Sequence, residues 1–132
     1  MLLYGVLHHL ADPSAACREI SRVLKSQGIY IGQENNQTVF RGIFDLLQRL
    51  LPQWHEEAGP EAIISSERLR EWFSETPVEI ETQSTIFLPP QLCNLMSLSL
   101  SHRMLVATDR LGRAIPYIRE NGGGLLISGL KS

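Results

Sequence analysis

Apolar positions along the chain switch between continuous runs, a spacing of three to four, and strict alternation, and each switch marks an element. Leu2, Leu3, Tyr4, Gly5, Val6 and Leu7 form a short continuous run, the pattern of a strand buried on both faces, and it breaks at His8-His9-Leu10-Ala11. Asp12-Pro13 then supplies an N-cap and a first-turn proline. From Asp12 to Lys25 the apolar residues Ala16, Ile20, Val23 and Leu24 recur at i, i+4, i+7 and i+8, with Arg18, Glu19, Arg22 and Lys25 mostly on the other side, which predicts a helix with one buried face. Gly28 stands where a C-terminal cap belongs, and Ile29 to Glu34 runs straight on as a strand. Strand, helix and strand in this order, joined by a right-handed crossover, make a parallel pair.

Past Asn35-Asn36, Val39, Ile43, Leu46, Leu47 and Leu50 repeat at helical spacing, Phe40, Phe44 and Leu51 widen the stripe, and Pro52 stops it. A helix this apolar is expected to be buried. The run from Pro52 to Pro60 reads as a loop, in which Trp54 and His55 either anchor the loop or reach a substrate. Ser65 or Ser66 caps a short helix through Ser74, with Leu69, Trp72 and Phe73 on its inner face. After Pro77, Val78 to Leu88 alternates as one long strand with a wet face, and Pro89-Pro90 stops it. The stretch from Gln91 to Arg113 is helical, as one helix or as two broken near Ser97 to Ser101. Asn121-Gly122-Gly123-Gly124 turns into a last strand, Leu125 to Leu130, followed by Lys131. Because these glycines lead into a strand instead of opening a helix, they read as a turn and not as a phosphate cradle.

Composition narrows the function classes. With 132 residues, 43% hydrophobic and 20% charged, the chain has room for one ordinary globular domain spanning residues 1–132. A net charge of -2 gives no electrostatic footprint for nucleic acid or an anionic membrane. Cys17 and Cys93 lie far apart without metal-ligand or redox spacing and read as reduced thiols of a cytoplasmic protein. No run is long enough to span a bilayer. No metal set is expected: His8 and His9 are adjacent, which should point their side chains apart, while His55 and His102 lack ligand-spaced partners. A nucleophile elbow is also missing.

The segment Gly5-Val6-Leu7-His8-His9-Leu10, followed by Asp12-Pro13, Arg18-Glu19-Ile20, Arg22-Val23-Leu24-Lys25 and Gly28, resembles the second half of a class I S-adenosylmethionine (SAM)-dependent methyltransferase of the type 11-like kind. There the matching segment is the fourth strand, the helix after it and the fifth strand. The turn after the helix reads Leu24-Lys25-Ser26-Gln27-Gly28 here, where the family has Leu-Lys-Pro-Gly-Gly, so only the final glycine is kept. The family's Gly-x-Gly-x-Gly loop and the acidic residue ending its second strand have no counterpart in the sequence. The resemblance implies an α/β fold with part of a Rossmann-like sheet: fourth, fifth, seventh and sixth strands side by side, the seventh antiparallel, with flanking helices. Residues 36–76 would be a lid or substrate-side helical insertion.

It also implies SAM as cofactor, bordered by Gly5, Val6 and Leu7 through backbone contacts, with Glu34 and Asn35 facing the acceptor and Trp54 and His55 as further substrate-side candidates. His8 and His9, just past a strand's carboxyl end, are the candidates for a general base, His9 ranked nearer the acceptor; the alternative is that one imidazole packs against the strand end while the other faces water. The function expected is methyl transfer to a small-molecule acceptor, with weak or no cofactor binding and no activity by this chain alone. Against it stands a non-catalytic fragment or interaction module that pairs with a separate N-terminal piece or with itself through the unprotected Leu2–Leu7 edge.

Overall fold

A computed structural model describes residues 1–51 and 64–132. Four strands, β1 (Leu2–Tyr4), β2 (Ile29–Asn35), β3 (Val78–Thr85) and β4 (Gly124–Lys131), form one sheet in the order β1-β2-β4-β3. β1 and β2 are parallel, and β4 runs antiparallel to both of its neighbours. This is the order and polarity that the resemblance implies, in an α/β framework with helices α1 (Pro13–Val23), α2 (Arg41–Leu50), α3 (Ser66–Phe73), α4 (Pro90–Cys93) and α5 (Leu98–Ala114). The region after Pro89 is therefore two helices and not one.

α1 starts as its sequence dictates. The Asp12 carboxylate accepts from the Ala15 N–H at 2.9 Å, and Pro13 occupies the first turn. Its far end is closed from a distance: the Lys131 ammonium donates to the carbonyls of Ser21 and Leu24 at 2.6 and 2.8 Å. The left-handed position of the following turn belongs to Gln27, at φ 60°, and not to Gly28. Gly28 is needed for another reason, since a Cβ there would lie 2.6 Å from the Lys25 carbonyl.

The core joins Cys17 and Ile20 of α1, Leu69 and Phe73 of α3, and the sheet residues Tyr30, Val78, Leu125 and Ile127 beneath them. α1 and α3 thus cover one face of the sheet. The opposite face carries Leu2, Tyr4, Ile29, Ile31, Leu126 and Leu130, all exposed, giving way to Glu79, Glu81 and Gln83 on β3. Val23, placed by its spacing on the buried stripe of α1, is also exposed. α2 does not fulfil the expectation of a buried helix, for none of its residues is fully buried.

Two strands end earlier than their apolar patterns suggest, both at a left-handed residue. β1 stops at Tyr4, not Leu7, because Gly5 at φ +63° turns the backbone into a 3-10 turn, Leu7–His9. β3 stops at Thr85, short of Leu88, where Ile86 takes φ 61°. A β-branched residue rarely adopts that conformation, and no alternation of hydrophobicity could announce it.

Candidate functional site

The 3-10 turn after β1 leaves the N–H groups of Val6 and Leu7 without partners inside the turn. Register places the end of β2 beside them, since Tyr4 pairs with Gln33 and the Gly5 N–H donates to the Gln33 carbonyl at 2.8 Å. Glu34 is the next residue. Its Oε1 accepts from Val6 at 3.1 Å and Leu7 at 2.9 Å, and its Oε2 lies 2.6 Å from His8 Nδ1. Glu34 and His8 are 3% and 7% exposed, so this carboxyl group is buried, and two backbone N–H donors and the contact to His8 replace its hydration.

His8 and His9 do not point apart. Their ring centroids are 3.9 Å apart with the planes tilted by 44°. A 3-10 turn rotates ~120° per residue, not the ~180° of a strand, so neighbouring rings meet. His8 borders the cavity described next; His9 is exposed and is not part of its lining.

A cavity of about 470 Å³ opens beyond the carboxyl ends of β1 and β2. Its floor is Tyr4, Gly5, His8 and the end of β2 from Gln33 to Asn35. Arg41, Phe44, Asp45 and Gln48 of α2 make one wall, while Ile86, Pro90, Gln91 and the Gly123-Gly124 turn make the other. The walls are tied together: Asn36 Nδ2 donates to the carbonyls of Glu120 and Gly122 at 3.1 and 2.8 Å, Thr38 Oγ1 to that of Asn121 at 2.5 Å, and Gln91 Nε2 to Gln48 Oε1 at 2.9 Å. Arg41 is balanced by Asp45 one turn on, at 2.7 Å. The volume suits a small molecule, and the lining mixes amides and hydroxyls with Tyr4, Phe44 and Ile86.

Of Gly5, Val6 and Leu7, only Gly5 lines the cavity; Leu7 is fully buried, and the Val6 and Leu7 N–H groups are committed to Glu34. Glu34 and Asn35 reach the cavity. Trp54 and His55 lie outside the described residues. Tyr4, Thr38, Arg41 and Gln91 were not anticipated. Thr38 could have been, as a polar residue just past a parallel strand's end, whereas nothing near Gln91 in sequence marks it.

Residues 1–32 match the family model of a methyltransferase domain. The fold is similar to a SAM-dependent methyltransferase from Thermotoga maritima named as a possible histamine N-methyltransferase, at 16% identity and a TM-score of 0.61 over 99% of this chain and 55% of that one. It is also similar to the YcgJ protein of Bacillus subtilis, at 16% identity and 0.51 over 98% and 63%, and to the [4+2]-cyclase SpnF, at 18% and 0.51 over 98% and 48%. No curated protein matches the sequence. At such identities the likeness establishes the fold. The chain spans about half the length of the solved structures it matches. The resemblance to SAM-dependent methyltransferases therefore holds in both of its parts: the matched residues are those that carried it, and the rest folds as that half-sheet does.

Proposed function

We propose that the cavity beyond β1 and β2 is the part of a SAM-dependent methyltransferase site that meets the sulfonium end of the cofactor and a small-molecule acceptor. The observation that carries this reading is its place, since open parallel sheets bind ligands outside the carboxyl ends of their strands. Tyr4, Gly5 and His8 are the residues of this chain that would border the cofactor. Bound SAM would supply an activated methyl group; the chain's part is to hold the acceptor in line, keep water out and receive any proton the acceptor loses. The polar walls around Thr38 and Gln91 suit a small polar acceptor better than a chain-like one.

The same fold also serves a cyclase, so the cofactor reading needs its own test. Amide NMR of the 132-residue chain, titrated with SAM into the millimolar range, is expected to shift the signals of Gly5, His8, Glu34 and Asn35. Shifts scattered elsewhere, or none at the highest concentration, overturn it.

A second reading rests on the open sheet face. Leu2, Ile29, Ile31 and Leu130 lie on the uncovered face beside the unprotected edge of β1. In this reading the face takes another polypeptide, either a second copy or a piece carrying the remaining strands of the fold, and catalysis belongs to the assembly.

A further inference from the structure

We propose that α5 is a docking surface for an amphipathic helix of another polypeptide, one whose apolar stripe is bordered by acidic residues. The surface is separate from the cavity and from the open face beside β1, and it does not depend on the methyl-transfer reading.

α5 is held to the body along a narrow line. The Ser101 hydroxyl donates to the Cys93 carbonyl at 2.7 Å, and Gly112, about three turns on, lies against the Phe87 ring, where a Cβ would come within 2.5 Å. Ser101 and Gly112 are the buried residues of this helix. Phe87 follows β3, the strand at the far edge of the sheet from β1, so strands added beside β1 would join the opposite edge.

Next to that line, at ~100° per residue, Leu100, Met104, Ala107, Leu111 and Ala114 share one arc of α5, and every one of them is exposed. Steps of four and three are the spacing of a helix that packs on another helix. The small Ala107 and Ala114 alternate with the bulky Met104 and Leu111, which leaves recesses for a partner's side chains. A bilayer has no use for such recesses, since acyl chains follow any contour.

The far border of the arc carries charge. Arg103 and Arg110 are seven residues apart, on the side away from Ser101 and Gly112, and neither has an ion pair or hydrogen bond among the described residues. Arg113 and Asp109, by contrast, neutralise each other at 2.8 Å. Two uncompensated arginines beside an apolar seam call for carboxylates at the same spacing on the occupant. A second copy does not supply them. Its α5 brings the same arginines, and the exposed stripe at its α2, Val39, Ile43, Leu46 and Leu50, is bordered by Arg49. Charge complementarity therefore selects a different, acidic chain.

Two synthetic four-heptad peptides test this, both with leucine at the seam positions and one flanked by glutamate, the other by lysine. Like charges hold each peptide apart from itself. In fluorescence anisotropy with the 132-residue chain, the glutamate peptide is expected to bind at micromolar concentration and the lysine peptide at least ~10-fold more weakly. Leu111→Asp should abolish binding, and Arg103→Glu with Arg110→Glu should reverse the preference; all three positions are exposed, so circular dichroism should stay unchanged. Equal binding of the two peptides, no binding of the glutamate peptide, or binding indifferent to Leu111→Asp overturns the proposal. Sedimentation with phosphatidylserine vesicles that Leu111→Asp abolishes would assign the face to a membrane instead. Self-association lost in the same variant would assign it to a second copy.

Discussion

Removing one oxygen from the core should make this protein more stable. Tyr30 is wholly buried on the covered face of β2, its ring stacked on Phe73 with centroids 5.9 Å apart, and its hydroxyl has no hydrogen-bond partner among the described residues. The phenol reaches across Gly32, where a Cβ would lie 2.3 Å from the hydroxyl oxygen and 2.8 Å from the ring carbon that bears it. Burial first, and the charge of Glu34 second, push ionisation of this phenol upward, so it remains neutral and unsatisfied. An unpaired buried hydroxyl costs about 1 to 3 kcal/mol, and the packing lost with one atom offsets part of that. Tyr30→Phe should therefore stabilise by about 1 kcal/mol, seen as a higher urea midpoint at unchanged slope.

Gly32→Ala sharpens the argument. It overpacks the site and should cost about 1 to 3 kcal/mol alone, but less when combined with Tyr30→Phe, where the 2.3 Å contact is gone and the 2.8 Å one remains. The double-mutant cycle should show at least ~0.5 kcal/mol of favourable coupling. A Tyr30→Phe variant destabilised by about 1 kcal/mol or more would mean that the hydroxyl has a partner. Strict additivity would mean that the ring does not lie over Gly32.

Three further outcomes are expected. His8→Ala should lower turnover of the competent assembly by ~10²-fold while His9→Ala leaves it nearly unchanged; the opposite ranking in steady-state kinetics would return the role to His9. The buried Cys17 thiol is pushed up to about 12 from an ordinary 9.0, chiefly by burial. Its folded value lies above its unfolded one, so its contribution to stability is complete below about pH 9 and is lost as the pH rises toward 12; urea midpoints should fall over that window, and fall less in Cys17→Ala. Calorimetry should find no SAM affinity tighter than millimolar for the 132-residue chain, and light scattering on a size-exclusion column should find association that grows with concentration. A micromolar dissociation constant or a concentration-independent monomer would contradict these in turn.

Much of the framework was legible because it is local. The i, i+4, i+7 stripe and the Asp12-Pro13 start define α1, alternation defines β3, and the glycine turn before an apolar run defines β4. The burial of Glu34 was not legible: Ile29 and Ile31 are the apolar pair of β2, yet the covered face is the one that carries Tyr30, Gly32 and Glu34, and a carboxyl group there must have partners. What those partners are could not be read, since Val6, Leu7 and His8 lie 26 to 28 residues away and meet it only through the parallel register. The left-handed turns at Gly5 and Ile86 were hidden for a different reason. Each sits inside an apolar run whose hydrophobicity is indifferent to backbone direction, and the second falls on a residue type that seldom accepts it.

The place of β4 governs when this sheet can exist. β2 and β3 never touch as strands; each pairs with β4, which follows both in the chain. On a ribosome, β1, α1 and β2 can assemble as they emerge, but β3 must wait with its backbone groups unpaired until the strand that separates it from β2 has been made. The Lys131 contacts to Ser21 and Leu24 bridge 110 and 107 residues and close the end of α1 in that same late event. Folding is thus gated by the arrival of one strand, with most of the ordering entropy lost before the longest-range pairings form.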